Sequence, residues 1–116
     1  MNKSELKKIV KKIFLKHGLN SNHSEISSNY IIKAELVGAQ SHGLARLKMY
    51  CDRIKKKLIN PNPKIKIKKI SQSISLVDAN NSIGFVGADL GVKRAILNAK
   101  KTGIGIVAIK LSLIHI

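Results

Sequence analysis

The 116-residue sequence predicts a mixed α/β fold: three N-terminal helices, then a β-hairpin, a helix and a strand. Three observations predict it. Apolar residues recur at helical spacing through the first sixty positions. At "KIKIKKI" (64–70) the period drops to two. From Phe85 the helical spacing returns, and it is followed by the short apolar run "IGIVAI" (104–109).

The first helix takes Ser4 as its N-cap and runs to about His17, with Ile9, Ile13 and Phe14 on one face. Gly18 stands where a C-terminal glycine belongs. "NSNHSE" (20–25) is polar loop chemistry, and Asn22 followed by Glu25 reads as a capping box for a second helix. That helix carries Ile26, Tyr30, Ala34 and Val37 and runs to about Gln40. A third helix opens after Ser41-His42-Gly43, with Leu44, Leu47, Ile54 and Leu58 as its apolar set. "NPNPK" (60–64) ends it, because the residue before a proline is driven out of the helical region. In the hairpin, Ile65, Ile67 and Ile70 take the buried side, and Ser71-Gln72-Ser73 turns the chain into "SISLVDA" (73–79). "NNSIG" (80–84) is a loop. A helix over 85–101 follows, on Val86, Leu90, Ala95, Ile96 and Ala99, closed by Gly103. The run 104–109 reads as a short buried strand. Two portions result: helical over 1–60, and the start of an α/β body over 61–110. A buried strand with almost nothing after it to pair with suggests a chain cut short.

The formal net charge is +16, and mean hydropathy is near zero, as for a folded chain rather than a disordered tail. Such a charge suggests a polyanionic partner. Yet the only arginines are Arg46, Arg53 and Arg94, and the four aromatics, Phe14, Tyr30, Tyr50 and Phe85, form no interleaved basic stripe. Lysine, isoleucine and asparagine share AT-rich codons, so their joint excess reads as genomic bias on tolerant surface positions. A single cysteine, Cys51, excludes an intrachain disulfide and fits a reducing cytoplasm. No apolar run is long enough for a membrane span. His17 and His23 lack metal-ligand spacing, so no metal site is expected.

"AQSHGLARLKMYCDR" (39–53) stands apart from this background. Taken alone, Ser41-His42-Gly43 with Arg46 four positions after the histidine is either a polar kink between helices or part of a site. Cys51, Tyr50 and Arg53 read as packing or interface residues, and Asp78-Ala79-Asn80-Asn81 as turn chemistry.

Ser41-His42-Gly43, Arg46, Tyr50, Arg53, Asn60-Pro61, Asp78 with Gly84, and Gly103-Ile104-Gly105 occur in that order over roughly residues 4–110. This run resembles the opening portion of the malate/L-lactate dehydrogenase family. The resemblance implies a fold that is not of Rossmann type. The sequence agrees: no G-x-G-x-x-G follows a strand, and Gly84, Gly87 and Gly91 lie too far apart inside a helical pattern. It also implies an N-terminal fragment of an NAD- or NADP-dependent oxidoreductase of small 2-keto and 2-hydroxy acids, cytoplasmic and homodimeric at full length. Where family members continue into a segment with a second histidine, this chain reads "KLSLIHI". Residues 111–116 are expected to be a non-native tail, since "LSLIHI" resembles the translation of a transposon-end sequencing adapter. His115 is given no role.

Reducing a 2-keto acid needs a hydride at the carbonyl carbon and a proton for its oxygen. Histidine suits the proton, because its ordinary pKa of about 6.5 lies near working pH. By resemblance His42 is the acid/base. The substrate carboxylate needs a cation, best an arginine offering two parallel hydrogen bonds, and Arg46 is expected to supply it, one turn along the third helix. Ser41 would bond substrate or cofactor, or cap the helix. No cofactor-binding residue is assigned, because the resemblance implies that the cofactor is bound mostly through later segments. The alternative reading, from the charge, is a basic non-catalytic module that binds nucleic acid or another polyanion.

Overall fold

The computed structural model describes residues 2–111, so the expected tail at 111–116, with His115, falls outside the described residues apart from Leu111. The chain divides into two compact units, Met1–Asn62 and Pro63–Ile116.

The first unit is helical. Helix α1 (Lys3–Lys16) starts two residues earlier than Ser4 would place it: Asn2 is the cap, its side chain accepting the Glu5 N–H at 2.9 Å. Gly18 ends it at φ +102°, and the Leu19 N–H reaches back to the Phe14 carbonyl. Helix α2 (Ser21–Leu36) is likewise capped two residues before Asn22, by Asn20, whose side chain takes the His23 N–H at 2.8 Å. Glu25 is therefore not half of a capping box. It leans across to α1 and pairs with Lys7 and Lys11.

The buried stripe of α2 also differs from expectation. Ile26, Ile31 and Ile32 are buried together with Ser24, Ser27 and Ser28, whereas Tyr30 and Val37 are exposed. Helix α2 packs against α1, and its three small serines are buried although hydropathy alone ranks them as surface. Helix α3 (Leu47–Lys55) is shorter at both ends than the sequence suggested. Two 3-10 turns, Gln40–His42 and Leu44–Arg46, precede it. Past Lys55, Lys57 adopts a left-handed φ of +63°, and the amides of Leu58 and Ile59 fold back on the Arg53 carbonyl.

The second unit is a three-stranded sheet with one helix, ordered β1 (Lys66–Lys69), β2 (Ile74–Asp78), β3 (Ile106–Lys110). β1 and β2 are an antiparallel hairpin with Ile67 opposite Val77. β2 and β3 run parallel, with Ile74 opposite Ile106 and Val77 opposite Ile109. Parallel neighbours need a crossover, and helix α4 (Gly84–Thr102) provides it. Gly103 closes α4 at φ +88°.

Val77, Ala79, Ile83 and Val86 form the core beneath α4. A polar tie reinforces it: Asn98, buried in α4, donates to Ser75 Oγ at 3.0 Å, and Thr102 meets Ser73 at 2.7 Å. The expectation of a buried final strand is corrected, since Ile106 and Ile109 of β3 are both exposed. Among the described residues β3 is an edge strand that α4 covers on one face only. Ile67 of β1 and Ile70, just past it, are exposed as well.

Candidate active site

The segment 39–46 is folded by its own backbone. The Ala39 N–H donates to the Ala34 carbonyl and the His42 N–H to the Ala39 carbonyl, both at 2.9 Å, and the Arg46 N–H to the Gly43 carbonyl at 3.0 Å. The first bond ties the segment to the end of α2, and the other two close the two 3-10 turns. The α-helical start expected directly after Gly43 is replaced by a 3-10 turn, and His42 and Arg46 sit on successive 3-10 turns.

The segment still gathers the three residues singled out in the sequence. Ser41 Oγ and His42 Nδ1 share a hydrogen bond of 2.9 Å. The Arg46 side chain folds back so that Nε donates to the Ser41 carbonyl at 2.7 Å, while Nη1 lies 3.9 Å from the Met49 sulfur. Ser41, His42 and Arg46 are all exposed. Chemically, this is an imidazole whose inner nitrogen is held by a hydroxyl, beside a guanidinium oriented by a main-chain carbonyl.

Two residues around the segment have roles that composition did not show. Glu35, half-buried on the last turn of α2, accepts the Leu44 N–H on Oε1 at 3.0 Å. Gly43 is buried against the same residue. A Cβ there would lie 2.6 Å from Glu35 Oε1 and 3.1 Å from the Glu35 backbone nitrogen and Cα. The signal for Gly43 was its place in the Ser-His-Gly motif. Glu35 carried none, because its partner is a main-chain amide.

The remaining sequence candidates sit elsewhere. His17 Nδ1 bonds the Ile13 carbonyl at 2.8 Å, and burial holds the His23 imidazole below its ordinary pKa. Cys51 is buried, and burial pushes its thiol pKa up, which suits packing rather than nucleophilic chemistry. Asp78 accepts the Asn80 N–H at 3.0 Å, and Asn80 and Asn81 both have positive φ, the turn chemistry expected of them. No group of three or more metal-ligating side chains is found among the described residues.

The glycines of α4 bear on the cofactor question. A Cβ at Gly91 would lie 2.6 Å from Ile109 Cδ1, and one at Gly87 would lie 3.1 Å from Ala79 Cβ. These glycines let α4 approach the sheet.

The sequence profile of the malate/L-lactate dehydrogenase family matches residues 1–116. The malate dehydrogenase of Pyrococcus abyssi is 40% identical over 110 residues, which is 95% of this chain and 30% of that protein. The malate/(S)-sulfolactate dehydrogenase of Methanothermus fervidus is 37% identical over 105 residues, 90% of this chain and 31% of that protein. The solved structure of malate dehydrogenase from Pyrococcus horikoshii superposes with a TM-score of 0.92 at 34% identity, covering 97% of this chain and 32% of the other. The chain thus spans about a third of the length of these relatives.

Proposed function

Because this chain belongs to the malate/L-lactate dehydrogenase family, we propose that it is the N-terminal portion of an oxidoreductase exchanging a hydride between NAD or NADP and a small 2-hydroxy acid. The observation that carries the reading is the Ser41–His42 pair with Arg46 folded onto the Ser41 carbonyl. Its setting supports it, since the relatives are malate and sulfolactate dehydrogenases. Binding of the nicotinamide cofactor is assigned to chain outside residues 2–111, since Gly87 and Gly91 serve helix–sheet packing.

In this reading His42 gives the Nε2 proton to the carbonyl oxygen during reduction and takes the hydroxyl proton during oxidation. The Ser41 hydroxyl suits both directions. With Nε2 carrying the transferred proton, Nδ1 keeps its hydrogen in both protonation states, and the Ser41 oxygen accepts from Nδ1–H throughout. Arg46 has Nε committed to the Ser41 carbonyl and Nη1 donating weakly to the Met49 sulfur, which leaves Nη2 and the second Nη1 hydrogen for the substrate carboxylate. The whole enzyme is proposed to be a cytoplasmic homodimer. No helix among the described residues is long and apolar enough to cross a membrane.

The test is turnover of 2-keto acids by the full-length gene product and its Arg46→Lys variant. Lysine keeps the charge and loses the fork, so KM for the keto acid should rise about tenfold or more, the equivalent of one lost charge-assisted bond. An unchanged KM would remove Arg46 from carboxylate binding. Residues 1–116 alone should not oxidise NADH, and turnover by them at the full-length rate would contradict the assignment of the cofactor site.

A further inference from the structure

We propose that Glu35 is a positioning residue: it docks the Ser41–Arg46 segment onto α2 and so fixes where His42 and Arg46 stand. The role rests on the reading of His42 given above. Three observations converge on it. First, the 3-10 turn Leu44–Arg46 begins at Gly43, which has no side chain to cap it, and Glu35 takes the turn's leading amide, Leu44 N–H, from nine residues away. Second, Gly43 is pressed against the backbone and carboxylate of that same residue, so side chain and main chain of Glu35 hold adjacent points of the loop.

Third, Glu35 reaches across sequence to a main-chain amide rather than to a lysine, whereas the other acids unpaired among the described residues, Glu5 and Asp78, bond only to near neighbours in sequence. The chain has six acidic residues against 22 lysines and arginines. Glu25, Asp52 and Asp89 each pair with lysine. Glu35 makes no such pair among the described residues; its bond goes to a main-chain amide. Glu35 is half-buried, and the bond its carboxylate makes is to that one N–H.

The docking point lies between the two turns. On one side the His42 N–H is bonded to Ala39, and on the other the Arg46 N–H is bonded to Gly43. Loosening Leu44 from Glu35 frees the hinge between the proton-transfer group and the carboxylate clamp. A lapse of even 1 Å in such geometry is costly to turnover, on the order of 100-fold.

Two readouts test the inference independently of each other. In the ¹⁵N-labelled 116-residue chain, Leu44 amide exchange should be protected. It should speed up about tenfold to 100-fold in Glu35→Ala, as expected for a lost bond to a charged acceptor. Glu35→Gln keeps an acceptor oxygen and should stay within roughly tenfold of the parent. Equal Leu44 exchange in parent and Glu35→Ala, or a Glu35→Gln chain no better protected than Glu35→Ala, overturns the docking role. In the full-length enzyme, Glu35→Ala should lower kcat, Glu35→Gln should recover most of it, and Glu35→Ala should add little in a His42→Ala background. Full additivity there would show that Glu35 does not act through His42. Should His42→Ala leave kcat unchanged, the catalytic reading fails, while the amide result still decides the docking role.

Discussion

Replacing Gly105 by alanine is the severest single-methyl change the structure offers. Gly105 lies where the chain leaves α4 for β3, and a Cβ there would stand 1.9 Å from the Ala95 carbonyl oxygen, 2.7 Å from its carbon and 3.0 Å from Ala95 Cα. All three are main-chain atoms of a helix, with no rotamer through which to yield. The crossing strand must withdraw by about 1 Å, and overpacking of this kind costs roughly 1–3 kcal/mol or more. The withdrawal also pulls on two bonds beside it, Ile106 N–H to the Ser73 carbonyl and Thr102 Oγ1 to the Ile104 carbonyl, both 2.8 Å. Each contributes about 1 kcal/mol, so a total near 3 kcal/mol is expected. Urea titration followed residue by residue through amide resonances is the assay. The loss should appear at residues of β2, β3 and α4, with α1 and α2 unmoved. Gly84→Ala is the control: its Cβ meets nothing within 4 Å, and alanine there should be neutral or stabilise by about 0.5 kcal/mol. A Gly105→Ala chain within about 0.5 kcal/mol of the parent would refute the reasoning.

Ser27 is fully buried, and its hydroxyl has no hydrogen-bond partner among the described residues. Ser27→Ala should therefore raise stability by about 1 kcal/mol in the same titration. Lys57 holds a left-handed backbone that glycine adopts freely, and Lys57→Gly should add about 0.5–1 kcal/mol, read as a shift in the urea midpoint. Acid should weaken the helical unit in two windows. Burial lowers the His23 pKa, so its contribution is complete above the ordinary value of 6.5 and declines as pH falls toward the lower folded value. Hydrogen bonds from Lys7 and Lys11 lower the Glu25 pKa, so that contribution holds above the ordinary 4.5 and is lost as pH falls through the folded value. In a pH series of urea melts, His23→Gln should flatten the upper window and Glu25→Gln the lower one.

Element types and their order were legible in the sequence because they rest on apolar period, which switches at Lys64 and again at Phe85. Gly18 and Gly103 were legible as helix ends, since only a left-handed residue closes those turns cheaply. What could not be read was mostly a matter of neighbours. Asn2 and Asn20 cap their helices in place of Ser4 and Asn22, a choice among equally competent side chains decided by where the chain enters. The serine stripe of α2 and the buried Asn98 are polar by composition and become interior only because α1 and Ser75 lie opposite them. Ile67 and Ile106 are apolar yet exposed, since alternation marks a face without saying whether anything covers it. At the candidate site the motif pointed to Ser41, His42 and Arg46, and these are gathered by hydrogen bonds. The 3-10 geometry between them depends on Glu35, whose bond to Leu44 leaves no trace in spacing.

The central claim, that His42 moves the proton, is tested most directly by kcat for 2-keto acid reduction in the full-length enzyme and its His42→Ala variant. The loss of a general acid predicts a fall of roughly 100-fold to 10,000-fold, with the protein folded and the cofactor still bound. Turnover within about twofold of the parent would contradict the account.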